Sequence, residues 1–520
     1  MKTKKGLYYM IGAAILTMAA SCADDESFST SSADRLAFSC DTVSLDTTFS
    51  NVPTPTRTMW VYNRSGAGLR CSTVRLEGGN QYGFRVNVDG TYLGQESGYK
   101  TQDVEIRKGD SIRVFVELTS PMQNVEGPQK IEDNLVFALE SGVQQKVNLM
   151  AYSWDAELLQ GKTVQTGESA ELGGTSKPIV LYGNIMVDSA ATLTVKPGTT
   201  LYFHQGTGVD VYGTLVLAGE PGNEVTLRGD RIDHMFDYLP YDLTPGQWDG
   251  IHLYGTSVDS RISYTDIHSC NNGIVVDSNK VDRMALTLTH STIHNCQGYG
   301  VKIDSAQVKI ENTQISNALR NLLYVRGGNV TVNACTLAQF YPFDAGRGTA
   351  LYFRQPLKNL KVTNSLVTGY GDDEVMWTAP VNVDSVKNPF KFSFDHCVLR
   401  TPQLDTEDSL KFTNIVYEDL KVDSVKRGEA YVYLKDKHFV RFDTDNFVYD
   451  FRLKPTSAAV GVADAATLPA LDRDGNERDE ASPDAGCYRH ESSTQGDGEN
   501  NEDTPSGSKQ RITFLSGGRK

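Results

Sequence analysis

Long apolar runs are scarce in this chain of 520 residues. Past the first twenty positions, none reaches the ~18 residues that a membrane-spanning helix needs. Basic charge is also short. Fifty Lys and Arg stand against 65 Asp and Glu, a formal net charge of −15. That excludes a non-specific nucleic-acid binder, which needs a basic footprint. Cysteine is sparse: eight in the whole chain cannot make a disulfide scaffold. No CxxC and no His/Cys cluster has zinc spacing. No P-loop, no GxGxxG after a strand, no GxSxG and no HExxH occurs. Helical periodicity is missing as well, which excludes helical repeats. What the chain does hold is an ordinary soluble balance, 39% hydrophobic and 22% charged, with 46 glycines for tight turns.

The start of the chain reads as a targeting segment. Lys2, Lys4 and Lys5 precede an apolar stretch, Leu7 to Met18, too short to span a bilayer. Ala19-Ala20-Ser21-Cys22 follows. The pattern resembles a bacterial lipoprotein signal peptide over residues 1–21, with Cys22 as the lipidated residue; a plain secretory signal with a chance cysteine is the other reading. Ala23-Asp24-Asp25-Glu26 resembles the surface-export signal of Bacteroidetes lipoproteins, against a merely solvated acidic linker. These resemblances imply an outer-membrane protein held by its N-terminal lipid and displayed at the cell surface. Residues 22–33 read as a tether.

From 34 to 155 the pattern predicts a β-sandwich. Thr42–Leu45, Thr58–Asn63, Phe84–Val88, Ser111–Val116 and the start of Val147–Tyr152 alternate apolar and polar residues, as strands with one buried face do. DTVSLDTTF, VYNRSGAGL, FRVNVDG and DSIRVFVEL resemble the N-terminal module of Bacteroidales surface lipoproteins. That resemblance implies an immunoglobulin-like sandwich that serves as a spacer. Cys40 and Cys71 could pair; their spacing does not decide it.

From about 158 the grammar changes to strands of three to five residues separated by tight turns. Apolar pairs five apart recur at Ile262/Ile267, Leu288/Ile293, Ile310/Ile315, Val332/Leu337, Val362/Val367 and Phe394/Leu399. A coil of about 22 residues with loops inserted at some corners explains the series, because one coil cannot bury its inward face alone. Small residues recur two before the later apolar position: Thr265, Ser291, Thr313, Cys335, Ser365 and Cys397. Cys335 and Cys397 therefore read as packing residues. Cys270 and Cys296 stack on neighbouring coils, as a buried free pair or as a disulfide. These features resemble a right-handed parallel β-helix of the pectate-lyase-like superfamily over 158–490. The fold class expected is all-β, a sandwich followed by a parallel β-helix solenoid. Residues 491–520 read as a disordered tail.

No Asn-Thr-Asp, Gly-His-Gly or Arg-Ile-Lys motif of the polygalacturonase-type hydrolases appears, so no catalytic residue is assigned and the balance leans away from an enzyme. The candidate ligand-binding residues lie on two insertions one coil apart: Tyr341, Asp344 and Arg347 on the first, and Asp372, Asp373, Glu374 and Trp377 on the second. Aromatic faces suit sugar rings, and carboxylates suit hydroxyls or acid–base work; loop packing and solvated acids are the other reading. A third insertion, Asp233–Asp242, has similar chemistry. His268 and His294 should stack, but with no carboxylate expected at their corner they read as a poor metal site. Asp472, Asp474 and Asn476 match part of a calcium loop without its closing glutamate, so no cofactor is expected and calcium is only a weak option. The function expected is a non-catalytic binding or adhesive surface lipoprotein, most readily for carbohydrate. Its partners would be the membrane, through the lipid, and a polysaccharide or surface protein. A polysaccharide lyase or glycoside hydrolase and a purely structural envelope component are the alternatives.

Overall fold

The computed structural model describes residues 27–490, apart from 81, 176, 280–281, 379, 382–383, 385–386, 405–406, 419–423, 428–429 and 434–437. The expected signal peptide, Cys22 and the tail at 491–520 lie outside the described residues. Within them the chain is all-β, and it divides into two compact units at Asp155/Ala156.

The first unit is a sandwich of two five-stranded sheets. One contains Leu36–Phe38, Arg57–Asn63, Ser111–Leu118, Phe84–Val88 and Thr91–Tyr92, all antiparallel. The other contains Thr42–Phe49, Gln144–Trp154, Gln129–Leu139, Leu69–Leu76 and Lys100–Ile106, with its first pair parallel. Alternation sends Met59, Val61, Val86, Val114 and Val116 inward from the first sheet, and Val74, Leu135, Phe137 and Leu149 from the second. Part of the stretch read as a tether is docked: Phe28 bridges Gly68, and its ring lies 4.1 Å from the Arg70 guanidinium.

The second unit is a parallel β-helix. Successive coils contribute strands to an 11-stranded parallel sheet and to a 17-stranded one that combines two further faces. The two faces join at the long strands Leu323–Asn333 and Leu351–Thr363, which run across both. Ile262, Leu288, Ile310, Val332, Val362 and Phe394 are register partners in turn. So are Ile267, Ile293, Ile315, Leu337, Val367 and Leu399. Both columns are buried, as the five-residue pairing predicts.

The small-residue column sits at a sharp corner. Tyr264, His290, Asn312, Ala334, Asn364 and His396 precede its members with φ between 43° and 55°. The hydroxyl or thiol of Thr265, Ser291, Thr313, Cys335, Ser365 and Cys397 donates in each case to the carbonyl two residues back. A short γ-donor is what that corner requires, since each bond satisfies a backbone acceptor beside the left-handed residue. The described cysteines are free, and Cys270 Sγ and Cys296 Sγ lie 3.5 Å apart in the core.

Among the described residues the last strand paired in parallel is Val416–Tyr417, and the rest of the expected 158–490 region closes the solenoid. Phe439–Asp443 and Val448–Leu453 form an antiparallel hairpin, and the chain then doubles back. This closing segment buries Phe439, Phe451, Leu453, Cys487 and Tyr488 against Ala338, Phe340, Leu366 and Val398 on the outer side of the 11-stranded sheet.

Candidate functional site

The two insertions after Gln339 and Gly369 are neighbours, since those residues are register partners at the sheet's edge. Several of their side chains are taken up by packing and by backbone groups. Tyr341 is buried, which pushes its hydroxyl up to about 12. Arg347 donates to the carbonyls of Tyr341 and Asp344 at 3.3 and 3.0 Å and lies 4.3 Å over the Tyr370 ring. Asp344 is exposed and accepts the Gly346 N–H at 2.7 Å. Asp372 is exposed. Asp373 is half-buried and accepts the Val375 N–H at 3.1 Å.

Glu374 is 2% exposed. Its carboxylate accepts the N–H of Gly371 at 2.6 Å and of Ala350 at 2.7 Å. Burial nevertheless pushes it up to about 7, against those two donors and Arg400 and Arg347. A Cβ at position 369 would lie 2.2 Å from its Oε1, so the carboxylate occupies the space that Gly369 leaves.

Trp377 is not a loop platform. It pairs with Phe353 in the inward column that runs Val276, Ile303, Val325, Phe353. Its ring stacks 5.5 Å from Phe353 and contacts Phe392 and Phe412, closing the core at its last coils. Behind these loops lies a buried ion cluster. Glu418 accepts from Arg400 Nε at 2.8 Å and Thr368 at 2.7 Å, and it contacts His438 Nε2. Burial disfavours its charge, but His438 and Arg400 outweigh that and hold it at about 2.

A second constellation forms at an earlier corner, where the third insertion meets the histidine pair. His268 and His294 are register partners with rings 4.8 Å apart. Asp266, two residues before His268, shares its outward face. Asp266 Oδ1 lies 2.8 Å from His268 Nδ1 and 3.2 Å from His294 Nε2. Asp242, from the short turn Tyr241–Leu243, lies 2.8 Å from His268 Nε2 and 2.8 Å from an Arg228 nitrogen. Ser269 holds that turn by donating to the Asp242 carbonyl. Burial opposes charge here too. The facing carboxylates lift His268 to about 9, while Arg228 and the imidazoles hold Asp242 low and the imidazoles alone do so for Asp266. Ligand atoms of Asp266, His268 and His294 all lie within 4.8 Å of one another. The expectation that no carboxylate shares this corner is thus corrected. Period two along Thr265–His268 already put Asp266 beside His268; only Asp242 needed tertiary structure.

Another face carries rings in series. Tyr324 and Tyr352 are outward register partners, stacked 5.6 Å apart at 8°. Tyr299 lies 5.3 Å from Tyr324, with Lys302 and Arg320 beside its ring. All three rings are half-exposed, and Arg354 and Met376 border them in the open. In the DxDGN segment, both Asp472 oxygens are taken by N–H groups: Oδ1 by those of Asp474 and Asn476, Oδ2 by that of Arg489.

The family model described as a right handed beta helix region matches residues 220–388, a stretch shorter than half the chain. The solenoid is accordingly a right-handed parallel β-helix. No curated protein matches the chain. Among solved structures, a PapD-like domain of human CEP192 is similar at 12% identity, over 25% of this chain and 92% of that one, with a TM-score of 0.16. A family 123 glycoside hydrolase from Clostridium perfringens is similar at 8% identity, over 24% and 26%, with a TM-score of 0.15. Dex49A from Penicillium minioluteum is similar at 8% identity, over 71% of both chains, with a TM-score of 0.15. Likenesses this distant bear on no activity.

Proposed function

We propose that the protein is a surface-exposed, outer-membrane lipoprotein whose β-helix binds carbohydrate without turning it over. In this reading lipid on Cys22 anchors it, the immunoglobulin-like sandwich spaces it from the membrane, and the solenoid presents a rigid binding face. The observation that carries the binding function is the tyrosine series Tyr299, Tyr324 and Tyr352. Rings on successive coils offer flat apolar faces with polar edges, which suits a pyranose chain lying along the solenoid axis. Lys302, Arg320 and Arg354 add hydrogen-bond donors for its hydroxyls. The loops at 339–377 contribute less than their composition promises, because Tyr341 and Trp377 are used in packing.

The test is a polysaccharide panel with the mature protein, reading binding and product release together. Retention on at least one glycan, lost in a Tyr324→Ala/Tyr352→Ala double variant that keeps its melting temperature, supports the proposal. Release of unsaturated or reducing ends would replace it with an enzyme, and no retention at all would favour a structural envelope role. Anchoring is tested separately: fatty-acid labelling should vanish in Cys22→Ala, and protease shaving of intact cells should digest the protein.

A further inference from the structure

We propose that Asp266, His268 and His294 form a binding site for a divalent transition-metal ion of the zinc type, with Asp242 as the positioning carboxylate behind it. Three donor atoms converge from two adjacent coils: a carboxylate oxygen of Asp266, Nδ1 of His268 and Nε2 of His294. Separations of 2.8 and 3.2 Å between the carboxylate and the two nitrogens resemble those between ligands around one small ion. Metal–donor bonds of ~2.0–2.2 Å put two donors of one ion at most ~4.4 Å apart, so loading would draw together the widest pair of this set, which lies within 4.8 Å. Two imidazoles and one carboxylate select zinc, nickel or copper, and disfavour calcium and magnesium, which take oxygen.

The surroundings carry the inference further than the three donors alone. A ligating histidine characteristically gives its other ring N–H to a carboxylate, which fixes its tautomer. His268 does this: Nε2 lies 2.8 Å from Asp242 Oδ1, and Asp242 is itself held by Arg228 at 2.8 Å. Trp248 pins the strand beneath by donating from its indole N–H to the His268 carbonyl at 2.8 Å. His268 is nearly buried, whereas the Asp266 and His294 side chains are 30% and 23% exposed, so an ion has a way in from solvent. Ligation through Nδ1 of His268 needs that nitrogen free of its proton, while Nε2 keeps its own and donates it to Asp242. Three protein ligands leave a position open to water. The site lies on a different face from the tyrosine series and stands whether or not a glycan binds there.

The experiment loads the metal-stripped mature protein with Zn²⁺ by calorimetry and with Co²⁺ by visible absorption. One equivalent should bind, with a nitrogen–oxygen cobalt spectrum free of the thiolate charge-transfer band that the buried cysteines would give. His294→Ala and Asp266→Asn, both at partly exposed positions, should abolish stoichiometric binding while circular dichroism shows the β-fold intact. Asp242→Asn should weaken it by about 10–100-fold. Absence of binding by folded wild-type protein overturns the proposal and leaves a histidine held between two aspartates. So does a thiolate spectrum, or binding undiminished in His294→Ala.

Discussion

At the residue scale, two buried glutamates a short way apart in sequence are held in opposite senses. Glu374 accepts the backbone N–H groups of Gly371 and Ala350, and burial outweighs them, so its proton is held up to about 7. Its folded value lies above the ordinary ~4.3, so its contribution to stability is complete below that value and is lost as pH rises through about 7. Glu374→Gln should remove that part of the decline in melting temperature between about pH 5 and 8, at a lower baseline, because the amide NH₂ meets an N–H donor. A slope unchanged by the substitution would show the carboxylate to be ordinarily charged. Glu418 has Arg400 and His438, and is held at about 2. Its contribution is present above the ordinary value and is lost as pH falls toward 2. Removing one member of so buried a cluster strands the rest, so Glu418→Gln should cost about 3–5 kcal/mol in urea unfolding near pH 7. A loss below ~1 kcal/mol would mean that the cluster is solvated. The sequence marked Glu374 as a candidate ligand group, since acids in a loop look exposed. Its burial depends on a glycine five residues earlier, and nothing in composition announces that.

At the scale of the coil, the corner is the repeating device. Ser365 accepts the Cys335 N–H at 3.0 Å and donates to the Thr363 carbonyl at 2.7 Å, fully buried. Ser365→Ala removes both bonds and strands a buried N–H, so it should cost about 1–3 kcal/mol. Ser365→Cys keeps a γ-donor like those of Cys335 and Cys397 and should cost less. Equal losses in the two variants, measured by denaturant titration, would refute the capping role. This element was legible in advance, because register and corner both recur as columns of like residues. The apolar pairs from Ile262 to Leu399 are register partners, and the small column between them is the corner. Trp377 was not legible. Val375-Met376-Trp377 is three residues long, too short to show its period beside the acids before it, so an inward rung resembled a loop. The histidine corner was half legible: the stacking followed from the repeat, while Asp242 reached it across an insertion whose path no local pattern fixes.

At the scale of the molecule, a solenoid has a weakness that its closing segment repairs. Each coil touches only its neighbours, so distant coils are coupled weakly and unfolding can proceed piecewise. Residues 456–490 bridge coils far apart in sequence. Arg473 pairs with Glu224 at 2.8 Å, Arg478 donates to Asn312 at 2.9 Å, Tyr488 donates to Gln314 at 2.8 Å, and Asp464 donates its N–H to Asn364 at 2.8 Å. With the hairpin before it, the same segment completes the apolar cover over Leu366 and Val398 on the outer sheet face. A chain ending at residue 455 should therefore lose more than the contacts removed. Calorimetry should resolve the single β-helix transition into at least two, the coils near 220 melting apart from those near 400, and the protein should bind a hydrophobic dye before it melts. The sandwich provides the internal control. Its buried core is drawn from residues 36–151 alone, so its own transition should stay where it was. One cooperative β-helix transition surviving the truncation would mean that stacking alone couples the coils, and that the returning segment is a cover and not a strap.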